Sequence, residues 1–233
     1  MVQCLSEIRE WSRSNPAHVP IIIKLETKEG RKPAVMDAYE PTEGAPFGDA
    51  AFARLHEEIY SVFGRDDLLL PSDLQGDYPS LNAAVRARGW PSLAASRGKV
   101  IFLLLDAEEK QREYLQFVEE SEADMVLFPS LGPEEPHTAW LQRADPDAPD
   151  IAALVKQGFL IYTRADKHTT QARENDGRQR NRAIASGAQL IATDFPTPDR
   201  RYSDYSVAIG DGYVGCNGRY QAESCLSIDG VSK

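Results

Sequence analysis

Apolar runs bounded by turn residues recur along the chain, and amphipathic stretches fill the gaps between them. The runs are VPIIIKLE at 19–26, DLLLP at 67–71, KVIFLLLD at 99–106, DMVLFPS at 124–130, GFLIYTRAD at 158–166 and AQLIATDFP at 188–196. Each is rich in Ile, Val, Leu and Phe throughout instead of alternating with polar residues, the pattern of strands covered on both faces. The gaps predict helices: CLSEIREWSRS before the first strand, DAAFARLHEEIYSVFG after it, then SLNAAVRARGW, AEEKQREYLQFVEES, IAALVKQG and TTQARENDGRQRNRAIASG. In the second of these, Phe52, Leu55, Ile59, Val62 and Phe63 fall at helical spacing, with Asp49 as the expected N-cap. Gly64, Gly158 and Gly187 stand where a helix stops and the next strand begins. Strand and helix in alternation indicate β-α-β units of a parallel sheet. The closing YSVAIGDGYVGCNGRY reads as a hairpin or loose tail.

No Gly/Ser-rich or Pro-rich linker divides the 233 residues, so a single domain over 1–233 is expected, with the alternating units at 1–198 and a tail at 199–233. The formal charge is -10, with acids and bases interspersed, which argues against nucleic acid as a partner but leaves room for one basic pocket. No run is long enough to span a membrane, and the opening MVQCLSEIREW lacks the charged-then-apolar order of a signal peptide. A soluble globular chain is the expectation. Cys216 and Cys225 lie close enough in sequence to close a small loop, which would place the protein outside the cytoplasm, or they stay reduced; Cys4 is left over.

Glu26, Asp106, Arg164, Asp166 and Asp194 stand at the C-terminal ends of these runs. In barrels and open α/β sheets that edge holds the ligand. Glu26 and Lys28, two apart, point to the same side, where the carboxylate suits calcium or magnesium and the ammonium a phosphate oxygen; the competing reading is an exposed ion pair. Arg164 and Asp166 read as a phosphate clamp and its orienting acid, or as a solvated salt bridge. Asp194 reads as the acid that orients a catalytic imidazole, or as a cap before Pro196. Lys99 is a surface lysine. Of His18, His56, His137 and His168, only His168 lies near the proposed edge. The chain has no G-x-S-x-G, P-loop, H-E-x-x-H or G-x-G-x-x-G motif, so those hydrolase, nucleotide-binding and zinc-protease classes are unsupported.

LSEIREWSRSNPAHVPIIIKLETKEG at 5–30, RGKVIFLLLD at 97–106, the stretch GFLIYTRAD through ATDFPTP at 158–198 and GCNGRYQAESC at 215–225 together resemble calcium-dependent phosphoinositide-specific phospholipases C. That family sits in a barrel superfamily that includes the glycerophosphodiester phosphodiesterases. The resemblance implies a (β/α)8 TIM barrel, a phosphoinositide or other phosphodiester substrate, calcium as cofactor and transient contact with a membrane surface. It implies Glu26 as a calcium ligand on the family's third strand. It also matches Lys28, Arg164 and Asp194 to polar positions of the barrel mouth. Arg164 and Asp194 are accordingly expected to be catalytic, and Lys28, Arg164 and, from the residue reading above, Asp166 to bind substrate. The family's His-Asn strand and acidic second strand have no counterpart here. The expectation is therefore an incomplete barrel of about six strand–helix units, family strands 3 to 8, lacking roughly a hundred residues. Such a chain is expected to be inactive alone, to serve at most as a headgroup-binding remnant, and to self-associate through open strand edges. The full-length parent is expected to be extracytoplasmic, and glycerophosphodiester hydrolysis is the alternative activity.

Overall fold

A computed structural model describes residues 1–29, 43–209 and 212–217. The described chain falls into two compact units, Met1–Gly76 with Ser92–Leu131, and Asp77–Pro91 with the described residues from Gly132 onward.

The first unit holds a parallel sheet in the order β1-β2-β3, formed by β1 (Ile21–Leu25), β2 (Val100–Leu104) and β3 (Leu127–Phe128). Register runs from Ile21 beside Val100 to Leu25 beside Leu104, and Phe102 pairs with Leu127. All five residues of β2 are buried, as its unbroken apolar run requires of a strand covered on both faces. α1 (Val2–Ser14), α2 (Asp49–Val62) and α6 (Glu108–Ser121) contribute to its core, where Leu5, Phe52, Ile59, Phe63, Phe102, Leu104, Tyr114 and Phe117 cluster. Of the helical stripe expected on α2, Phe52, Leu55, Ile59 and Phe63 are buried and Val62 is half-buried, but the N-cap is Gly48, and Asp49 occupies the first turn.

DLLLP, expected as a strand, is not one. Only Leu68 bridges β2, at Val100, and the Leu69 amide donates to the Val100 carbonyl at 3.0 Å. Pro71 then opens the short helix α3 (Pro71–Gln75), and Asp73 accepts the Leu70 amide at 2.8 Å. Proline preset at a first helical position, with an acid three residues past the cap, turns the chain before it extends. α5 (Leu93–Ser96) precedes β2, capped by the Ser92 hydroxyl.

The second unit holds the parallel sheet β4-β5-β6, formed by β4 (Trp140–Gln142), β5 (Leu160–Arg164) and β6 (Leu190–Ala192). Gln142 pairs with Tyr162, and Arg164 with Ala192. β4 was not expected from the apolar pattern. α4 (Leu81–Arg88), capped by Ser80, and α7 (Ile151–Lys156) supply buried Leu81, Val85, Leu154 and Val155. Gly158 links α7 to β5 at φ +95°, where a Cβ would stand 2.3 Å from the Val85 carbonyl oxygen. The helix expected over TTQARENDGRQRNRAIASG is two, α8 (Thr170–Glu174) and α9 (Arg178–Ser186). Asn175 takes a left-handed conformation at φ 52° and Asp176 accepts the Arg178 amide, which ends one helix and starts the next. Of the expected C-terminal hairpin, the described residues show one antiparallel bridge, Ile209 to Gly212. Cys4 is a free, exposed thiol; the Cys216–Cys225 bridge, left open by the sequence, involves Cys225, which lies outside the described residues. Among the described residues no helix is long and apolar enough to cross a membrane.

Candidate active site

The C-terminal edge of the first sheet is built on Thr27 and Asp106. Asp106, two residues past β2, accepts the Thr27 amide at 2.8 Å and its hydroxyl at 3.0 Å, both on Oδ2. Burial pushes the Asp106 carboxyl upward, the Thr27 bonds oppose this, and the charge of Glu26 adds to the rise. Buried Gln111 on α6 staples the same edge: its amide NH2 donates to the Asp106 carbonyl at 2.8 Å and the Ser130 carbonyl at 3.0 Å, and its oxygen accepts the Ser130 amide. The ends of β2 and β3 are thus tied through one side chain.

Glu26 and Lys28, expected to serve a cation and a phosphate, form an ion pair with each other, both about half exposed. Glu29 beside them accepts the Phe47 amide at 2.7 Å and pairs with Lys110 at 3.0 Å, and these bonds hold its carboxyl below the usual range. Calcium prefers roughly six to eight oxygen ligands. Here Lys28 occupies Glu26, Thr27 occupies one oxygen of Asp106, and the described residues hold no group of three or more metal-ligating side chains. The described residues therefore do not fit a calcium site by themselves.

The C-terminal edge of the second sheet carries Arg164, Asp166 and Asp194. Arg164 is the last residue of β5, and its Nη2 lies 3.4 Å from Asp194 Oδ2. Asp166 was expected to orient Arg164; instead it is fully buried and holds other groups. Its Oδ2 accepts the Thr193 hydroxyl at 2.5 Å and the Tyr205 hydroxyl at 3.2 Å, and its Oδ1 accepts the Asp194 amide at 3.0 Å. It fixes the loop after β6 and so places Asp194. Burial and the Asp166 charge push the Tyr205 hydroxyl far above its ordinary range, so it stays a donor.

Asp194 was expected to orient an imidazole, and its structural partner is Arg164. A cleft of about 400 Å³ opens beside the pair, lined by Ala144, Asp145, Pro146, Arg164, Lys167 and Gln179. Arg164 and Lys167 bring two cationic groups to that cleft, an arrangement that can bind an anion. Next to it Arg143 makes a forked pair with Asp150, at 2.8 and 2.7 Å to Oδ2, and is spent on structure. Sequence reasoning missed Lys167 at this cleft; its adjacency to the T-R-A-D run was the available signal.

The histidines do not supply an acid–base pair on either edge. His56 is buried against Tyr114, and His18 bonds Ser12 at 2.8 Å. His137 is exposed, and His168 is exposed on the loop after β5 at φ 62°.

Parallel strands alternating with helices, and charged groups collected at the strands' C-terminal ends, define an α/β protein. The chain belongs to the family of calcium-dependent phosphoinositide phospholipases C, which it matches over residues 1–217. Among solved structures it is similar to a Ca2+-dependent phosphatidylinositol-specific phospholipase C from Streptomyces antibioticus, at TM-score 0.59 and 20% identity, covering 83% of this chain and 70% of that one. It is also similar to the calcium-dependent phosphoinositol-specific phospholipase C of a Pseudomonas species in two crystal forms. One gives TM-score 0.58 at 18% identity, covering 91% of this chain and 68% of that one. The other gives TM-score 0.55 at 18% identity, covering 83% and 64%. The chain thus spans 64 to 70% of these enzymes' length. At such identities the likeness establishes the fold alone. Comparison with curated proteins gives no match.

Proposed function

We propose that this chain carries the phosphate-binding part of a calcium-dependent phosphodiesterase acting on phosphatidylinositol-type lipids, built on an incomplete (β/α)8 barrel. The observation that carries the reading is Arg164 at the last position of β5, with Lys167 lining the same cleft. A guanidinium there presents a planar fork to a phosphodiester and stabilises the charge that develops on its oxygens as the bond breaks. Asp194 holds that fork until the phosphate displaces it, and Asp166 holds Asp194.

Cleavage further requires a proton acceptor for the attacking hydroxyl and a donor for the leaving oxygen. The described edges offer Arg164, Lys28 and carboxylates, with no histidine bonded to any of them, and a calcium site the described residues do not complete. On this reading, with neither a bonded imidazole nor a complete calcium site among the described residues, the chain by itself binds the headgroup without turnover. The test is incubation with phosphatidylinositol vesicles over a range of calcium concentrations. No release of inositol phosphate is expected, while myo-inositol 1-phosphate still binds. Calcium-dependent release would overturn the inactive reading, and absence of binding would overturn the headgroup reading. Release of glycerol phosphate from a glycerophosphodiester would instead favour the alternative activity.

A further inference from the structure

We propose that Gln142 determines specificity at this same site, holding a hydroxyl of the esterified alcohol beside the phosphate that Arg164 receives; the inference rests on the phosphate reading of Arg164. β4 and β5 pair with Gln142 beside Tyr162. Alternate residues of a strand share a face, so Gln142, Tyr162 and Arg164 lie on one face of the sheet, with Gln142 one pleat back from Arg164. Two atoms of that face are buried with no hydrogen-bond partner, Gln142 Oε1 and Arg164 Nε. The first accepts and the second donates. Native structures leave few buried polar atoms unpaired, and a ligand is one of the groups that pairs them. Two further unpaired atoms of this unit, Thr138 Oγ1 and Thr163 Oγ1, belong to hydroxyls that rotate to suit their surroundings, and Thr163 faces the opposite side of β5.

A hydroxyl satisfies both atoms at once, accepting from Arg164 Nε–H and donating to Gln142 Oε1. An ionised phosphate oxygen satisfies only Arg164, because it has no proton to give. The pair therefore selects a phosphate ester whose alcohol carries another hydroxyl near the ester oxygen over a plain alkyl phosphate.

The test titrates the isotope-labelled chain with myo-inositol 1-phosphate and, separately, ethyl phosphate, followed by NMR in the wild type and in Gln142→Met. The wild type is expected to prefer the inositol ester about tenfold, the usual weight of one well-placed buried hydrogen bond. Gln142→Met is expected to erase that preference and leave ethyl phosphate binding in place. In the wild type the Gln142 side-chain amide signals should shift with the inositol ester and stay still with ethyl phosphate. Equal binding of the two esters by the wild type, or a preference retained in the variant, overturns the inference while the phosphate reading stands. Binding of neither ester overturns the phosphate reading and the inference with it. Should Gln142→Met fail to fold, unmoved Gln142 amide signals in the wild type under the inositol ester overturn the inference.

Discussion

Arg164 and Asp194 form a loose ion pair, Nη2 to Oδ2 at 3.4 Å, that links the end of β5 to the loop after β6. Their side chains are 34% and 57% exposed, so the pair is worth at most about 1 kcal/mol. A phosphate offers Arg164 two charged oxygens in a fork and competes with that single contact. Asp194→Asn is therefore expected to tighten binding of inorganic phosphate about threefold, by freeing the guanidinium. Calorimetry or NMR titration measures this; weaker binding in the variant would show that Asp194 supports the anion directly.

Gly158 joins α7 to β5 and so sets the position of the strand that carries Arg164. Its φ is +95°, and a Cβ at this position would come within 2.3 Å of the Val85 carbonyl oxygen, which leaves no room for a side chain. Gly158→Ala is expected to cost about 2 kcal/mol or more, since the neighbour in the way is backbone. Urea unfolding checks this, and an unchanged midpoint would contradict the close approach.

Gln111 binds the ends of β2 and β3 through three hydrogen bonds from a buried side chain. Gln111→Leu leaves the Asp106 and Ser130 carbonyls and the Ser130 amide without that partner. A loss of about 2 kcal/mol is expected. The chemical shift of the Thr27 amide, which donates to Asp106, should move as well. A stability loss with the Thr27 signal unmoved would show that the staple does not reach the edge carboxylate.

A buried histidine gives the first unit a pH dependence. Tyr114 Oη accepts the Val126 and Leu127 amides at 3.0 and 2.9 Å, so its proton is directed at His56 Nε2, 3.1 Å away. Only neutral imidazole can accept it. Burial lowers the His56 pKa to about 4 from 6.5, against the opposing pull of the Asp124 charge. Between those values the unfolded chain binds a proton that the folded chain refuses, so stability falls as pH drops from 6.5 toward 4 and levels off below. With allowance for solvent screening the loss is about 2 kcal/mol. Unfolding free energies at several pH values measure it, and His56→Gln, which keeps an acceptor without titrating, should flatten the His56 share of the slope. An identical slope in that variant would contradict the assignment.

The strands that were legible in the sequence are those with long unbroken apolar runs, such as Val100–Leu104, because burial on both faces leaves no polar position to blur the pattern. Leu68 and Leu70 are equally buried, yet Pro71 and Asp73 turn the chain into a helix, and apolar content alone does not distinguish the two. β4 escaped notice because it is three residues long and ends on a polar one, Gln142. The charged positions at the strand ends could be read directly, since strand direction fixes which end faces the ligand. Their pairings could not. Asp166 and Asp194 each stand two residues past the end of a strand, and only the fold of the Thr193 and Tyr205 region decides which is buried and which meets Arg164. The same holds for Glu26 and Lys28, whose spacing suits separate ligands or, as the structure has it, each other.

The most direct measurement of the central claim compares binding of myo-inositol 1-phosphate by the wild-type chain and by Arg164→Met, with the fold of each checked by circular dichroism. Losing a charge-assisted forked contact is expected to weaken binding by about tenfold to a hundredfold. A folded Arg164→Met chain that binds the headgroup as tightly as the wild type would contradict the account.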